Sequence, residues 1–143
     1  MPWYNKGKFS VMNGSVALLT DTIKVMLVNS SASFNADHNF VSDISANELS
    51  GTGYVGGFNG SGRKTLAGKT ITEDDANDRA EFDANDVSWL AISAGTAAAA
   101  VLIKEVTSDA DSLLIAYLDF SDLVTNGGDM TLQWDAEGIL QIS

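Results

Sequence analysis

The chain has 143 residues, 45% of them hydrophobic, and its formal net charge at pH 7 is −11. This length predicts a single domain, residues 1–143, with a core of its own, and the lack of cysteine excludes disulfides, zinc-thiolate sites and thiol nucleophiles. No apolar run reaches the length of about 18 residues that spans a bilayer, and the first residues lack the apolar region of a signal peptide. We therefore expect synthesis in a cytoplasm without export, and no membrane partner.

The charge is distributed unevenly along the chain. Residues 1–72 carry six Lys and Arg against four acids, whereas residues 73–143 carry two against fifteen. So acidic a second half would repel a polyanion, and we expect no direct nucleic-acid partner. These acidic residues can increase solubility, because a high net charge makes copies of the protein repel one another. Alternatively, they can form an acidic face that binds a basic partner.

The first predicted element is a short N-terminal helix over residues 6–13. Phe9, Met12 and Val16 recur at helical spacing, and Asn13-Gly14 is a typical helix end. Gly7 costs about 1 kcal/mol inside a helix. Phe9, Met12 and Val16 would form a weak apolar stripe along such a helix.

Residues 1–16 have two interpretations. They form an arm for a partner, in which large side chains lie beside lysines, or their aromatic residues close the core of the domain itself. The arm interpretation predicts that the domain stays folded without residues 1–9. Its candidate partner-binding residues are Trp3, Tyr4, Lys6, Lys8 and Phe9.

Short strands are predicted from residue 23 onward. Residues 23–28 and 113–118 are apolar runs of six, typical of strands covered on both faces. Residues 130–134 alternate apolar and polar side chains, as in a half-buried strand. Clusters of Asp, Asn and Gly separate such segments, which predicts an all-β fold, an antiparallel β-sandwich or jelly-roll-like barrel of seven to nine strands.

Residues 97–106 begin with helix formers and end with strand formers. A strand is favoured because strands flank the segment on both sides. The residues expected in the core of the sandwich are Val25, Leu27, Phe82, Trp89, Leu114, Leu118, Leu132 and Trp134.

Residues 34–62 form a long excursion dominated by Asn, Ser, Asp and Gly. Long ordered excursions tend to be functional surfaces. Tyr54 and Phe58 are its candidate partner-binding aromatic residues. The possible anchors of the excursion are Phe40, Val41, Ile44, Tyr54 and Val55.

Catalytic motifs are matched only in part. Residues 67–70 look like the end of a P-loop, but Arg63 stands where its first glycine belongs. Ser61 lacks the flanking glycines of a nucleophile elbow and is interpreted as part of a flexible loop. His38, the single histidine, lies in a polar segment and is interpreted as solvated or capping. We expect no enzymatic activity and no cofactor.

The tetrapeptide Asp-Ala-Asn-Asp occurs at residues 75–78 and again at 83–86. Its oxygen atoms could bind calcium, but Arg79 and Val87 occupy the third ligand position of the EF-hand pattern. Turns in which Asp and Asn bond their own backbone explain the segment without a metal. We expect residues 74–86 to need none, with calcium as the alternative. The side chains expected in such turns are Asp75, Asn77, Asp83 and Asn85.

Several segments have a familiar order and spacing. They are Asn13-Gly14, LLTDTIKVMLV at 18–28, VSDI at 41–44, ELSGTGY at 48–54, FDANDVSW at 82–89, NGGD at 126–129, WD at 134–135 and GI at 138–139. Together they resemble the small virion proteins of tailed bacteriophages, over nearly the whole chain. Residues 56–64 look like an insertion relative to that pattern.

The resemblance implies a structural protein of the phage head, a capsid decoration or cement protein on the virion surface. Its partners would be the major capsid protein and further copies of itself, in a homotrimer near threefold points of the lattice. An all-β chain suits adhesion through flat patches, edges and arms. The alternative is a phage tail or receptor-contacting module, which would use exposed aromatic residues such as Tyr54 and Phe58.

Overall fold

The computed structural model describes residues 2–143, so that Met1 lies outside the described residues. In this part of the chain one α-helix, two 3-10 helices and nine strands follow one another. The elements are α1 (Asn5–Met12), β1 (Lys24–Val28), 3-10 turns at Val41–Asp43 and Ser45–Asn47, β2 (Lys64–Thr65), β3 (Thr70–Asp74), β4 (Arg79–Asp83), β5 (Val87–Trp89), β6 (Gly95–Lys104), β7 (Leu113–Thr125), β8 (Met130–Leu132) and β9 (Leu140–Ile142).

All strand pairs are antiparallel, and they form three sheets. The largest has the order β2-β1-β6-β7, and the two smaller ones have the orders β3-β4-β9 and β5-β8. Side chains from all three sheets meet in one core, so the four-stranded sheet packs against the two small ones. The predicted all-β sandwich with one short N-terminal helix is confirmed.

The four-stranded sheet is buried on both faces, as the apolar runs predict. On β1, Val25 and Leu27 point into the main core, whereas Met26 and Val28 point to the opposite face. There they join a second, smaller core that residues 29–47 cover. Part of the long excursion therefore protects the sheet.

Strand β6 confirms the strand predicted for residues 97–106. Its alanines at 97–100 are all buried, and small side chains let the covering layers approach the sheet closely. Strand β7 pairs with β6 along its length, but residues 120–122 lie opposite the single Ala98, where the register shifts. β7 therefore bulges in its second half.

Most of the expected core is found where it was predicted. Val25, Leu27, Phe82, Trp89 and Leu114 are buried. The other three expected core residues are half-buried and pack against the margin of the main core: Leu118, Leu132 and Trp134. No helix among the described residues has the length and apolar character to cross a membrane.

Candidate functional site

Helix α1 lies directly on β7 because Gly7 has no side chain. A Cβ atom at Gly7 would be 2.2 Å from the Ile115 carbonyl oxygen, far inside van der Waals contact. Gly7 and Ser10 are the buried residues of the helix. The backbone of α1 is thus held against the strand, and the opposite side of the helix faces solvent.

The outward side of α1 combines apolar and basic side chains. Met12 is 87% exposed, Phe9 is 58% exposed and Lys8 is also exposed. Lys6 Nζ lies 5.4 Å from the centroid of the Phe9 ring and 5.3 Å from that of Phe40, both within cation–π range. We refer to Lys6, Lys8, Phe9 and Met12 as the α1 surface.

The helix was predicted correctly, but the apolar stripe does not lie on one face of it. Phe9 and Met12 point outward, and Val16 is buried in the segment after the helix. The rotation of α1 about its axis is set by the close approach of Gly7 to Ile115, which the spacing of apolar residues does not show.

A groove of about 400 Å³ extends the α1 surface toward the C-terminal strand. It lies between Lys8, Val11 and Met12 of the helix and Ile142 of β9, which is 55% exposed. A smaller cavity of about 90 Å³ follows between the helix and the β3-β4-β9 sheet. The exposed apolar area on this side of the domain is therefore continuous.

Trp3 and Tyr4 belong to the domain and not to a free arm. Trp3 forms an antiparallel bridge with Ala116, and the Tyr4 N–H donates to the Ile115 carbonyl at 3.1 Å. Both side chains are buried, and Trp3 Nε1 donates to the Gln141 carbonyl at 3.2 Å. The arm interpretation of residues 1–16 is wrong for these two side chains, because they pair with the sheet edge and fill its cores.

The candidate residues of the excursion, Tyr54 and Phe58, do not form an exposed aromatic pair. Tyr54 is fully buried, and its hydroxyl accepts from the Leu27 N–H at 2.9 Å and donates to Glu48 Oε1 at 3.1 Å. Burial, together with the charge of Glu48, raises the pKa of the Tyr54 hydroxyl. Phe58 is half-buried at a shallow pocket beside Lys24. Tyr54 is therefore a structural residue and not a contact residue.

Arg63 is the main feature that sequence reasoning missed. Its side chain is fully buried, and its guanidinium donates to Glu48 and Asp109 through two hydrogen bonds each and to Glu105 through one, at 2.7–3.1 Å. Lys24 adds an ion pair to Glu105. Arg63 and its three carboxylates thus join the excursion to the connection between β6 and β7.

The ionisation of this cluster follows from its contacts. Burial opposes the charged form of Arg63, but hydrogen bonds to Glu48 and Asp109 outweigh it and raise its pKa. Burial likewise opposes the charged form of Glu105, but hydrogen bonds from Lys24, the Asn59 N–H and Arg63 lower its pKa. Both groups stay charged inside the fold.

Residues 56–64, which look like an insertion and contain Ser61, are bound to the rest of the domain. The Gly62 N–H donates to the Val55 carbonyl, and the Gly62 carbonyl accepts from Trp89 Nε1 at 2.7 Å. Ser61 itself lies in an exposed turn of this segment, and its flexibility stays a prediction. The sequence signal for the Arg63 cluster is an arginine at the end of a segment rich in Gly and Ser.

His38 is neither fully solvated nor a cap through Nδ1. The residue is half-buried, and Nδ1 has no hydrogen-bond partner within residues 2–143. The nearby helix-capping side chain is Asp43, whose carboxylate accepts from the N–H groups of Asn39 and Phe40. These hydrogen bonds lower the pKa of Asp43.

The acidic segment 74–86 runs from the last residue of β3 through the turn and strand β4 to the residues after it. Asp74 accepts from Asn77 Nδ2 at 2.7 Å and from Arg79 Nε at 3.0 Å. Asp83 accepts from the N–H of the next residue, Ala84, at 2.8 Å, which is a local bond but not the predicted Asx turn. The described residues hold no group of three or more acids or histidines placed to bind a metal ion.

The α1 surface carries positive charge, whereas the chain as a whole has a net charge of −11. Lys24, Arg63, Arg79 and Lys104 form ion pairs with carboxylates, and Lys69 donates to a backbone carbonyl. Lys69 is therefore one of four Lys and Arg side chains of residues 2–143 that have no carboxylate partner. Two of the others, Lys6 and Lys8, lie on α1, and the last is Lys64.

Apolar side chains that are exposed beside unpaired cations fit a protein partner better than a small molecule. Phe9 and Met12 provide area, and the lysines provide orientation toward an acidic surface. A comparison of the chain with protein-family models, curated proteins and solved structures finds no match.

Proposed function

We propose that this chain is a structural virion protein of a tailed bacteriophage, a capsid decoration (cement) protein that binds and stabilises the head lattice. The observation that carries the proposal is the α1 surface, an apolar and basic contact area on an acidic domain. The resemblance of the segments between residues 13 and 139 to small phage virion proteins supports the same assignment. The partners proposed are the major capsid protein and, in a homotrimer, other copies of the chain.

In the proposed attachment, each side-chain contact contributes only a small free energy of binding. Covering Phe9 or Met12 contributes about 1.5–3 kcal/mol each by area, before the costs of association are subtracted. An oligomer on a lattice holds several such contacts at once, and each attached copy raises the effective concentration of the next. Capsid occupancy is then high although each contact is weak.

The fixed position of α1 on the sheet favours binding of a partner. The backbone before the helix is paired to β7, and Gly7 fixes the helix against Ile115. A surface that is already ordered loses little conformational entropy when a partner covers it.

The test is the location of the protein in intact virions by cryo-electron microscopy. Density for the sandwich on the outside of the head supports the proposal. Density at the tail would support the alternative, a tail or receptor-contacting module. If purified virions lack the protein, the proposal fails.

Binding to preformed capsids tests the contribution of the α1 surface. We expect the double variant Phe9→Ser/Met12→Ser to stay folded and to lose about tenfold or more of its capsid affinity, because about 1.4 kcal/mol corresponds to tenfold. Val55→Ser is the matched control, since Val55 is as exposed as Phe9 but lies outside α1. Equal affinity of the double variant and the control would contradict a role of α1 in attachment.

A further inference from the structure

Strand β3 has an outer edge that is open to solvent. It is the outermost strand of the β3-β4-β9 sheet, and Thr70 to Glu73 are all exposed, Ile71 at 48%. Within residues 2–143 the backbone partners of these four residues all lie on β4. The remaining N–H and C=O groups of such an edge are free to pair with a further strand.

The other sheet edges are short, interrupted or already occupied. β2 has two residues, and β5 and β8 have three each. On β9 the Gln141 carbonyl accepts from Trp3 Nε1, and on β7 the pairing with residues 2–4 and the bulge at 120–122 interrupt the edge. β3 is therefore the edge on which strand addition is least opposed.

The alternation of backbone hydrogen bonds shows which residues of β3 face its open edge. The Phe82 carbonyl accepts from the Ile139 N–H and so points from β4 toward β9. Hydrogen-bonded and non-hydrogen-bonded pairs alternate along antiparallel strands. Ile71, which lies opposite Phe82, therefore directs its N–H and C=O away from β4, and so does Glu73. The side chains of Ile71 and Glu73 lie on the sheet face that carries Phe82.

Two charged side chains on either side of Ile71 lack an opposite charge. Lys69 directly precedes β3, and its ammonium donates to the Asp21 carbonyl. Neither Lys69 nor Glu73 forms an ion pair within residues 2–143. Along an extended chain they lie about 13 Å apart, too far to pair with each other. The Lys69 ammonium keeps further N–H donors for a carboxylate.

A second copy of β3 supplies both missing partners. When two copies run antiparallel with Ile71 opposite Ile71, Lys69 of each copy lies opposite Glu73 of the other, and Thr70 lies opposite Thr72. Opposite charges and β-branched side chains are favourable cross-strand neighbours. The outward N–H and C=O groups of the two Ile71 residues bond each other in the same arrangement.

We infer that two copies of this chain associate by antiparallel pairing of their β3 strands about a twofold axis at Ile71. The two small sheets then form one sheet of six strands in the order β9-β4-β3-β3-β4-β9. The contact is isologous and closes with two copies. It uses none of the α1 surface and rests on no part of the proposed function. It joins two single copies or members of two different trimers, because a twofold contact does not build a ring of three.

Cysteine cross-linking tests the pairing and its register, because the chain has no cysteine of its own. Cα atoms of a hydrogen-bonded antiparallel pair lie about 5.5 Å apart, within the span of a disulfide. The two Thr72 positions would lie about 8 Å apart, beyond that span. Under mild oxidation we therefore expect Ile71→Cys to form disulfide-linked dimers at least about tenfold faster than Thr72→Cys. Val55→Cys, at a position 58% exposed, measures the rate of random collision.

Charge reversal tests the Lys69–Glu73 pairs by sedimentation and light scattering. We expect Lys69→Glu and Glu73→Lys each to raise the dissociation constant about tenfold or more, because like charges then face each other. The variant that combines both substitutions keeps the net charge, restores opposite charges and should regain association. The experiment uses about 0.15 M salt, at which repulsion beyond about 8 Å is largely screened.

The matched controls make the same changes in net charge elsewhere. Lys64→Glu is the control for Lys69→Glu, and Asp122→Lys, at an exposed position of β7, is the control for Glu73→Lys. We expect both controls to associate like the original chain within about twofold. Circular dichroism and thermal melts establish that each variant is folded. Glu73→Lys, at an exposed position, carries the test should Lys69→Glu not fold.

The inference is overturned if the original chain stays monomeric at its highest soluble concentration, or if Thr72→Cys or Val55→Cys cross-links as fast as Ile71→Cys. A folded combined variant that stays dissociated, or a trimer whose association the β3 variants leave unchanged, overturns it as well. In these cases the protein can still occupy the capsid, and the proposed function stands. If the β3 strands pair as expected but virions lack the protein, the inference stands and the proposed function fails.

Discussion

Arg63 is the residue on which the excursion depends most. Its guanidinium is fully buried and takes part in five hydrogen bonds to three carboxylates. Removal of one partner from a buried ion cluster costs more than the cluster contributes, because the remaining charges stay desolvated. Glu48, with a side chain only 5% exposed, would be the most affected.

We expect Arg63→Met to lower the free energy of unfolding by about 3–5 kcal/mol, measured by urea denaturation. Lys104→Met is the control, since the Lys104–Asp21 pair is partly solvated and its loss should cost about 1 kcal/mol or less. A similar loss of unfolding free energy in both variants would show that the buried Arg63 cluster contributes no more to stability than the partly solvated Lys104–Asp21 pair.

Trp89 links the main core to the excursion. It is fully buried, its indole N–H donates to Gly62, and its ring lies 6.4 Å from that of Tyr54. We expect Trp89→Ala to cost about 3–5 kcal/mol in a denaturation experiment. Trp134→Ala, at a half-buried position, should cost clearly less. A loss at Trp134 that equals the loss at Trp89 would contradict this assignment of the core.

At the scale of elements, α1 is placed by a missing side chain. Helix propensity alone would make Gly7→Ala stabilising by about 1 kcal/mol. The structure predicts the opposite sign, because the new methyl group would meet the Ile115 carbonyl and lift the helix from β7.

A lower melting temperature for Gly7→Ala therefore checks the packing of α1. Lys8→Ala, on the exposed side of the same helix, should change stability by about 0.5 kcal/mol or less. An increase in stability for Gly7→Ala would show that α1 does not lie so close to β7.

The residues before α1 act as a short edge strand. We expect deletion of residues 1–9 to abolish cooperative unfolding or to lower the melting temperature strongly. The deletion removes the buried Trp3 and Tyr4, worth about 1.5–3 kcal/mol each, out of a typical total of 5–15 kcal/mol. A truncated chain that melts like the original would restore the arm interpretation.

At the scale of the whole molecule, the acidic composition determines how stability depends on pH. Burial raises the pKa of Glu105, but hydrogen bonds from Lys24, Asn59 and Arg63 outweigh it, and hydrogen bonds also lower the pKa of Asp43. A carboxylate whose pKa is lower in the folded state contributes stability above its unfolded pKa of about 4. This stability is lost as the pH falls through the folded pKa.

We therefore expect melting temperatures that are nearly constant between about pH 7 and 5 and that fall below about pH 4. Glu105→Gln should show a smaller fall, because it lacks one of the depressed carboxylates. A maximum of stability below pH 4 would contradict the favourable environment of these acids.

Much of the fold could be predicted from local sequence. The helix ends at Asn13-Gly14, the apolar runs at 23–28 and 113–118 become strands covered on both faces, and residues 97–106 become a strand. These features depend on side-chain period, turn residues and strand propensity, which act between neighbours in the chain. The same local signals placed Val25, Leu27 and Trp89 in the core.

The candidate site could be predicted only in part. Lys8 and Phe9 were singled out from their types and are exposed, but Trp3, Tyr4 and Tyr54 are buried. A large aromatic residue can anchor a partner or its own core, and its type does not distinguish the two. The two cases differ in whether other segments of the same chain pack over the aromatic side chain, and this depends on the tertiary structure.

The sequence by itself determined the class of the fold, the positions of its strands and the acidic charge of its second half. Only the tertiary structure decided which side of α1 faces solvent and that Arg63 meets Glu48, Glu105 and Asp109. Period and propensity are properties of consecutive residues, whereas these contacts join segments far apart in the chain. Their geometry exists only when the sheets have packed, because burial and the approach of Gly7 to Ile115 are consequences of that packing.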